Sequence, residues 1–446
     1  MVKDGSNGEN DRLRAECEDV KVGWKDRVRF SSRGGIPVAY RPREIVTDRP
    51  DEARSWILGR AGEHENLREE FERIEVVDVG GLGESFGRLK SVPDERALVD
   101  EMRKDGFKAQ LNHVYFTHCG WCPPHPAMWS SGGLANPAFA NPAFANPAFA
   151  IRSTGLRRSS ARPPTLEERE AELLTARITK APDPDAPKII VVDTGLAGSH
   201  QPHALTTANG ILAAEGADLD QPDSDQNKVL DGAAGHGTFI AGLIRSVTPG
   251  CQVTVHRVLR TYGDGDEATI VHCLNELESD ENTILNLSFG GYVWEEPALL
   301  ASAVRRFQSG GGVVVSSAGN DGTCQPSYPA ALPDVVSVGA VGPTGPAAFT
   351  NYGPWVRACA PGVSLVSMFF EGFEGVGMPG SEGLDPDNFE GWAEWSGTSF
   401  AAPVVAASLA RMMKLMGCPA KEAVERLIDH PSLMRLPYLG TVVNVI

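Results

Sequence analysis

Positive charge is scarce in this chain. Its 41 Lys and Arg are outnumbered by 58 Asp and Glu, leaving a formal charge of −17. A nucleic-acid binder leaves a basic footprint, so the balance argues against that class. No stretch reads as an apolar run that would cross a bilayer, so no membrane partner is expected. The opening residues, Met1-Val2-Lys3-Asp4-Gly5-Ser6, are hydrophilic and lack the apolar centre of a secretory leader. The expectation is a cytoplasmic protein. Eight cysteines in 446 residues then read as free thiols rather than a disulfide framework. Cys251, Cys273, Cys324 and Cys359 are expected as small buried apolar residues. Cys119 and Cys122, flanked by His118 and His125, supply half a zinc site unless both histidines join. The expectation there is an ordinary loop and no metal.

What the chain does have is four motifs in a telling order. Lys188-Ile189-Ile190-Val191-Val192 reads as a buried parallel strand and runs into Asp193-Thr194-Gly195. The carboxyl end of such a strand is where open α/β sheets place their sites. Gly235-His236-Gly237-Thr238 sets a histidine between two glycines at a helix start. Val313-Val314-Val315-Ser316-Ser317-Ala318-Gly319-Asn320 ends a strand with an amide side chain in a glycine-flanked loop. Last comes Ser396-Gly397-Thr398-Ser399-Phe400-Ala401-Ala402-Pro403, followed by a helical pattern apolar nearly all round. A lone Ser-Gly-Thr-Ser is an ordinary helix cap. Together with the other three it becomes a nucleophile at a positive dipole end. A serine hydroxyl is a weak nucleophile until a neutral imidazole takes its proton. A carboxylate fixes the imidazole tautomer, and preorganised donors must then hold the oxyanion.

These four motifs, in the order Asp, His, Asn, Ser, resemble those of the subtilisin (subtilase) family of serine peptidases. The similarity covers roughly Pro187 to Met416. It implies that Asp193, His236 and Ser399 form a catalytic triad and that Asn320 lines the oxyanion hole. It also makes Ser288, Phe289, Gly290 and Gly291, with Ser317, Ala318 and Gly319, walls of the substrate pocket. Independently, Ser288–Gly291 ends a strand and leaves main chain available to pair with an extended peptide. No charged residue stands out in that pocket, so an apolar or undemanding side chain is the expected preference.

Strands at 188–192, 252–259, 283–288, 312–316 and 335–340 alternate with helical patterns at 236–246, 268–277, 297–308 and 399–416. The fold class is therefore α/β, a mostly parallel sheet with helices on both faces, subtilisin-like by the resemblance. Before it, residues 35–117 read as a small α+β unit of order βαββαβ, the ferredoxin-like split arrangement. Its ending, Ala109-Gln110-Leu111-Asn112-His113-Val114-Tyr115-Phe116, resembles the tail of a subtilase propeptide, which implies an intramolecular inhibitor and chaperone. The expected organisation is a flexible N-terminus at 1–34, the propeptide-like domain at 35–117, a linker at 118–182 and a catalytic domain at 183–446. The linker carries three copies of Asn-Pro-Ala-Phe-Ala, from Asn136 to Ala150. Proline in each copy forbids a regular helix, so it reads as an extended linker or a repeated docking peptide.

Two inserts depart from a minimal family member. Asp218, Asp220, Asp223 and Asp225 alternate between the aspartate and histidine motifs. They read as a solvated loop or as a calcium site, although the spacing misses the helix-loop calcium pattern. No cofactor is expected to be required. Val366 to Trp395 is Gly-rich and acidic, with no Lys or Arg, and reads as a solvated surface loop or as a loop beside the cleft that favours substrates with basic residues flanking the scissile bond. The expected function is a serine endopeptidase acting on protein or peptide substrates and autoinhibited by its N-terminal domain. A peptide-maturation peptidase or macrocyclase would use the same triad. A docking protein without turnover would be expected to have lost a triad residue, and none is lost.

Overall fold

Lys188–Asp193 lies inside a parallel sheet and places Asp193 at the strand's carboxyl end. The computed structural model describes residues 27–33, 36–61, 72–78, 86–117, 149–150, 173–202, 205, 210–214, 219–224, 226, 228, 230–374 and 388–444. The Cys119/Cys122 stretch, the first two repeats, Asp218 and Asp225 lie outside these residues. The chain groups into two units, Met1–Tyr115 with Gly265–Leu277 and Gly291–Arg306, and Phe116–Asp264 with Glu278–Gly290 and Phe307–Ile446.

The first unit contains β1 (Arg29–Arg33), β2 (Ile36–Asp48), β3 (Glu75–Asp78), β4 (Phe86–Lys90) and β5 (Ala109–Thr117), the last continuing two residues into the second unit. Helices α1 (Pro50–Ala61) and α2 (Glu95–Lys104) connect them. The pairing order β5-β2-β4-β3 is antiparallel throughout and is that of a split β-α-β sheet. Strand β2 runs unbroken through Ile36–Asp48 and pairs with β1, β4 and β5. An apolar cluster of Tyr40, Ile45, Ile57, Leu89, Met102 and Leu111 fills the space between sheet and helices.

The second unit carries β6 (Phe149–Ala150), β7 (Lys188–Asp193), β8 (Leu196–Ala197), β9 (Ile211–Ala213), β10 (Leu219–Asp220) and β11 (Gln252–Arg257). A short β12 (Asp264–Asp266) marks the junction of the two units. Beyond it come β13 (Thr283–Leu287), β14 (Phe289–Gly290), β15 (Val313–Ser317), β16 (Val336–Gly342), β17 (Gly345–Pro346) and β18 (Ala358–Pro361). The last strands are β19 (Leu365–Glu374), β20 (Asn388–Trp395), β21 (Arg435–Leu436) and β22 (Gly440–Val442). In the central sheet β18, β16, β15, β13, β7, β11 and β9 run parallel in that spatial order. Every residue of β13 and β15 is buried, as expected for parallel strands covered on both faces.

Helix α3 (His236–Val247) follows the histidine motif, and α4 (Glu267–Glu276) and α5 (Ala298–Ser309) follow in sequence. Helix α6 (Thr398–Met416) starts one residue before the candidate nucleophile. Contrary to the sequence reading, α6 is long and apolar enough by length and composition to cross a bilayer. Its contacts with strands of the central sheet explain that composition, because the apolar residues fill the core.

The acidic insert is also not a simple loop. Its described residues form the antiparallel hairpin β19–β20. A register shift between Met368 and Glu371 lets both Phe369 and Phe370 turn inward, with Phe373, Phe389 and Trp395 also buried. Scattered glycines and acids hide this aromatic face in the sequence. Phe149–Ala150, the end of the third repeat, adds an antiparallel strand to β20. Among the cysteines, Cys251 and Cys359 are buried, and burial pushes both thiols up to about 12. Cys324 is exposed, against expectation.

Candidate active site

Asp193 and His236 come together from the ends of β7 and the start of α3. His236 Nδ1 lies 2.7 Å from Asp193 Oδ1, and both side chains are fully buried. The same oxygen accepts the Thr194 backbone N–H at 2.7 Å. The Asp193 carbonyl accepts from Val258 N and Leu259 N, which fixes the backbone beneath the carboxylate. A carboxylate so placed selects the imidazole tautomer with its proton on Nδ1 and leaves Nε2 as the basic nitrogen.

Glycine is required on both sides of the imidazole for steric reasons. Gly235 has φ +78°, and a Cβ there would lie 2.3 Å from the Phe369 ring. A Cβ at Gly237 would lie 2.3 Å from the Gly195 carbonyl oxygen. The histidine ring itself is walled by Trp395 and Phe400, at centroid distances of 5.5 and 5.2 Å.

Ser399 sits in the first turn of α6 and is fully buried. Its hydroxyl donates to the Ser288 carbonyl at 2.9 Å, and the Ser288 hydroxyl donates back to the Ser399 carbonyl at 2.8 Å. Pro403 explains the second bond. Lacking an N–H, it cannot make the helical bond to the carbonyl four residues earlier, which is that of Ser399. The Ser288 hydroxyl fills that place, itself held by Asn286 Nδ2 at 2.9 Å. Ser288 was expected as a pocket wall; the structure places it, buried, as a brace for the nucleophile's backbone.

Asn320 is fixed by Thr398. Its Oδ1 accepts from Thr398 N at 3.0 Å and Thr398 Oγ1 at 2.8 Å. With the carbonyl end engaged, the amide's donor end is turned away from Thr398. Ser317, Ala318 and Gly319 lead from β15 to Asn320, and their main chain is tied to Val338, Asn351 and Thr398. Thr398, absent from the sequence reading of the site, could have been suspected from its place beside Ser399.

The edge at Phe289–Gly290 is occupied. Phe116 and Thr117 pair with it antiparallel, Phe289 opposite Thr117 and Gly290 opposite Phe116. On the other side, Thr117 N donates to the Gly263 carbonyl at 2.9 Å. An extended segment is thus held between two stretches of main chain. Gly291, the last of the expected pocket residues, groups with the first unit.

Of the four aspartates of the insert, Asp220 and Asp223 lie among the described residues. Asp220 is fully buried, with its oxygens accepting from Thr194 Oγ1, Gly235 N and Gln221 N at 2.8–2.9 Å. Asp223 Oδ2 accepts from Lys228 N. Among the described residues there is no cluster of three or more His, Cys, Asp or Glu set to hold a metal.

A model described as the subtilase family matches residues 185–432. Among curated relatives, Subtilisin-like protease 2 of Pseudogymnoascus destructans is 31% identical over 245 residues, covering 53% of this chain and 54% of that protein. Subtilisin NAT of Bacillus subtilis subsp. natto is 29% identical over 240 residues, covering 51% of this chain and 55% of that protein. The chain therefore spans about half the length of the curated relatives it matches. Among solved structures, a lanthipeptide protease superposes with a TM-score of 0.48 at 22% identity, covering 63% of this chain and 93% of that one.

Proposed function

The chain belongs to the subtilase family, and from that premise we propose that it is a serine endopeptidase held silent by its own N-terminal region. Ser399 is the nucleophile, His236 the proton shuttle and Asp193 the group that orients it. The Asn320 amide and the Ser399 backbone N–H are the oxyanion donors. The observation that carries the reading is the buried Asp193–His236 pair at 2.7 Å, at a strand end and beside the helix whose first turn holds the serine.

The geometry suggests the order of events. In the resting arrangement the Ser399 hydroxyl is committed to the Ser288 carbonyl. For acylation it rotates to His236 Nε2, gives up its proton and attacks the peptide carbonyl. The oxyanion forms against donors already fixed by Thr398 and by α6, so little reorganisation is needed. His236 then returns the proton to the leaving amine, and water repeats the sequence on the acyl-enzyme.

Substrate binds as Phe116–Thr117 does, as an extended strand between Phe289–Gly290 and Gly263. That pairing supports the reading of residues up to Thr117 as an inhibitor, since it uses the edge a substrate needs.

Intact mass of the full chain beside its Ser399→Ala variant, followed over time with a serine-directed fluorophosphonate, tests this. The expected result is that wild type takes up the probe, or cuts itself beyond residue 117, while the variant does neither. A wild type that neither labels nor cleaves, even with residues 1–117 removed, overturns it.

A further inference from the structure

We propose that Asp220, which lies outside the Asp193–His236–Ser399 set, is a positioning residue that locks the aspartate and histidine loops together through Thr194. The inference rests on the reading of that set as catalytic. Asp220 ends β10, which pairs in parallel with β8 so that Asp220 stands opposite Ala197, four residues beyond Asp193. Its side chain is wholly enclosed.

Three donors converge on it. Thr194 Oγ1 and Gly235 N each donate to Oδ2 at 2.8 Å, and Gln221 N donates to Oδ1 at 2.9 Å. Thr194 in turn touches both loops. Its backbone N–H donates to Asp193 Oδ1 at 2.7 Å, and its hydroxyl oxygen accepts from Gly237 N at 3.1 Å. The amides on both sides of His236 are therefore fixed, Gly235 by Asp220 directly and Gly237 through Thr194. The ring closes on itself through the Asp193–His236 bond.

The chemistry asks for a carboxylate at this point. A threonine hydroxyl has one proton. It can accept from Gly237 and still be oriented only if its own proton goes to a firm acceptor. An ionised carboxylate is acceptor-only and satisfies all three donors. An amide would turn an NH₂ toward at least one of them.

Enclosing that charge is costly. Burial pushes the Asp220 carboxyl up to about 7, against the opposing pull of Thr194, Gly235 and Arg257. The charged or titratable side chains around it are Asp193 and His236, reached through the ring, and Arg257, which donates to the neighbouring Leu219 carbonyl. Proton uptake by Asp220 sets a donor among donors and removes a negative charge near His236.

The test uses the full chain. The low-field proton NMR signal of His236 Nδ1–H is followed from about pH 5 to 9 in wild type, Asp220→Asn, Thr194→Val and Thr194→Ser. Fluorophosphonate labelling rates are measured alongside. Removing the charge in Asp220→Asn lowers the His236 midpoint by about half a pH unit or more and slows labelling about tenfold. Thr194→Val slows labelling similarly, and Thr194→Ser restores wild-type behaviour. An Asp220→Asn chain that loses only thermal stability, with midpoint and labelling unchanged, overturns the proposal. Should that variant fail to fold, the Thr194→Val and Thr194→Ser pair decides on labelling rate, equal rates overturning the lock. If wild type takes no label at any pH, even with residues 1–117 removed, the peptidase reading fails, while the midpoint still decides for or against Asp220.

Discussion

In the first unit, the arginine–carboxylate pairs gathered at the start of α4 keep contact with solvent; in the second, the Asp193–His236 pair has none. Arg41, Arg88, Glu44 and Asp266 retain 8–19% side-chain exposure. Asp266 caps α4 through Thr269 N, Asn112 reaches Glu44, Asp266 and Ala268 N, and His113 Nδ1 lies 2.7 Å from Glu267. Burial pushes the Asp266 carboxyl up, but Arg41 and Arg88 outweigh it and hold the group below the usual range. Around Ser399 the bonds are neutral, hydroxyl to carbonyl and amide to amide. The difference separates two tasks. Partly solvated charges give an attachment that salt and pH can loosen. Enclosed neutral bonds give a geometry that solution conditions barely touch.

The largest test of that contrast is Asp220, an enclosed acid in the second unit. Its folded pKa of about 7 exceeds the unbound value of 3.8. Between those values the folded state holds a proton the unfolded state lacks. Its contribution to stability is therefore full below pH 3.8 and is lost as pH rises through about 7. The loss is on the order of 4 kcal/mol. Denaturant unfolding over that range should show wild type falling with pH and Asp220→Asn much flatter. Parallel curves would remove the raised pKa.

Next in size is Asn320→Ala, expected to lower kcat by roughly 10²–10³, the range known for a subtilisin oxyanion asparagine, with KM little changed. A change in KM alone would move Asn320 out of the oxyanion role. On the first unit, Glu267→Gln strands His113 and weakens the bonds from Tyr115 and Leu300 N. A cost of about 2–3 kcal/mol is expected, read as faster hydrogen exchange across β5. Exchange confined to the variant's own helix would break the comparison. The smallest effect belongs to Glu295→Ala, which removes only the 65% exposed partner of Arg103. A change under about 1 kcal/mol that vanishes in salt is expected.

The parallel sheet was legible because strands such as β7 and β15 carry apolar runs, Ile189–Val192 and Val313–Val315. The helices at 236, 267, 298 and 398 begin within a residue or two of where the pattern placed them. The hairpin β19–β20 was not, since its bulge breaks the two-residue alternation that marks a strand. Asp220 was read among solvated aspartates because spacing alone does not reveal that β10 turns back against β8. The brace from Ser288 to Ser399 was hidden for a similar reason. It answers a carbonyl left open by Pro403, and only the fold brings the two segments within bonding distance.

If the strand Phe116–Thr117 on Phe289–Gly290 acts as the proposed inhibitor, it has a consequence for dosage. A competitor joined to the same chain is present at an effective concentration in the millimolar range, whatever the dilution. Free substrate at micromolar level would lose to it at every expression level. Activity would then be set by how many chains have been cut or released, and not by how many have been made.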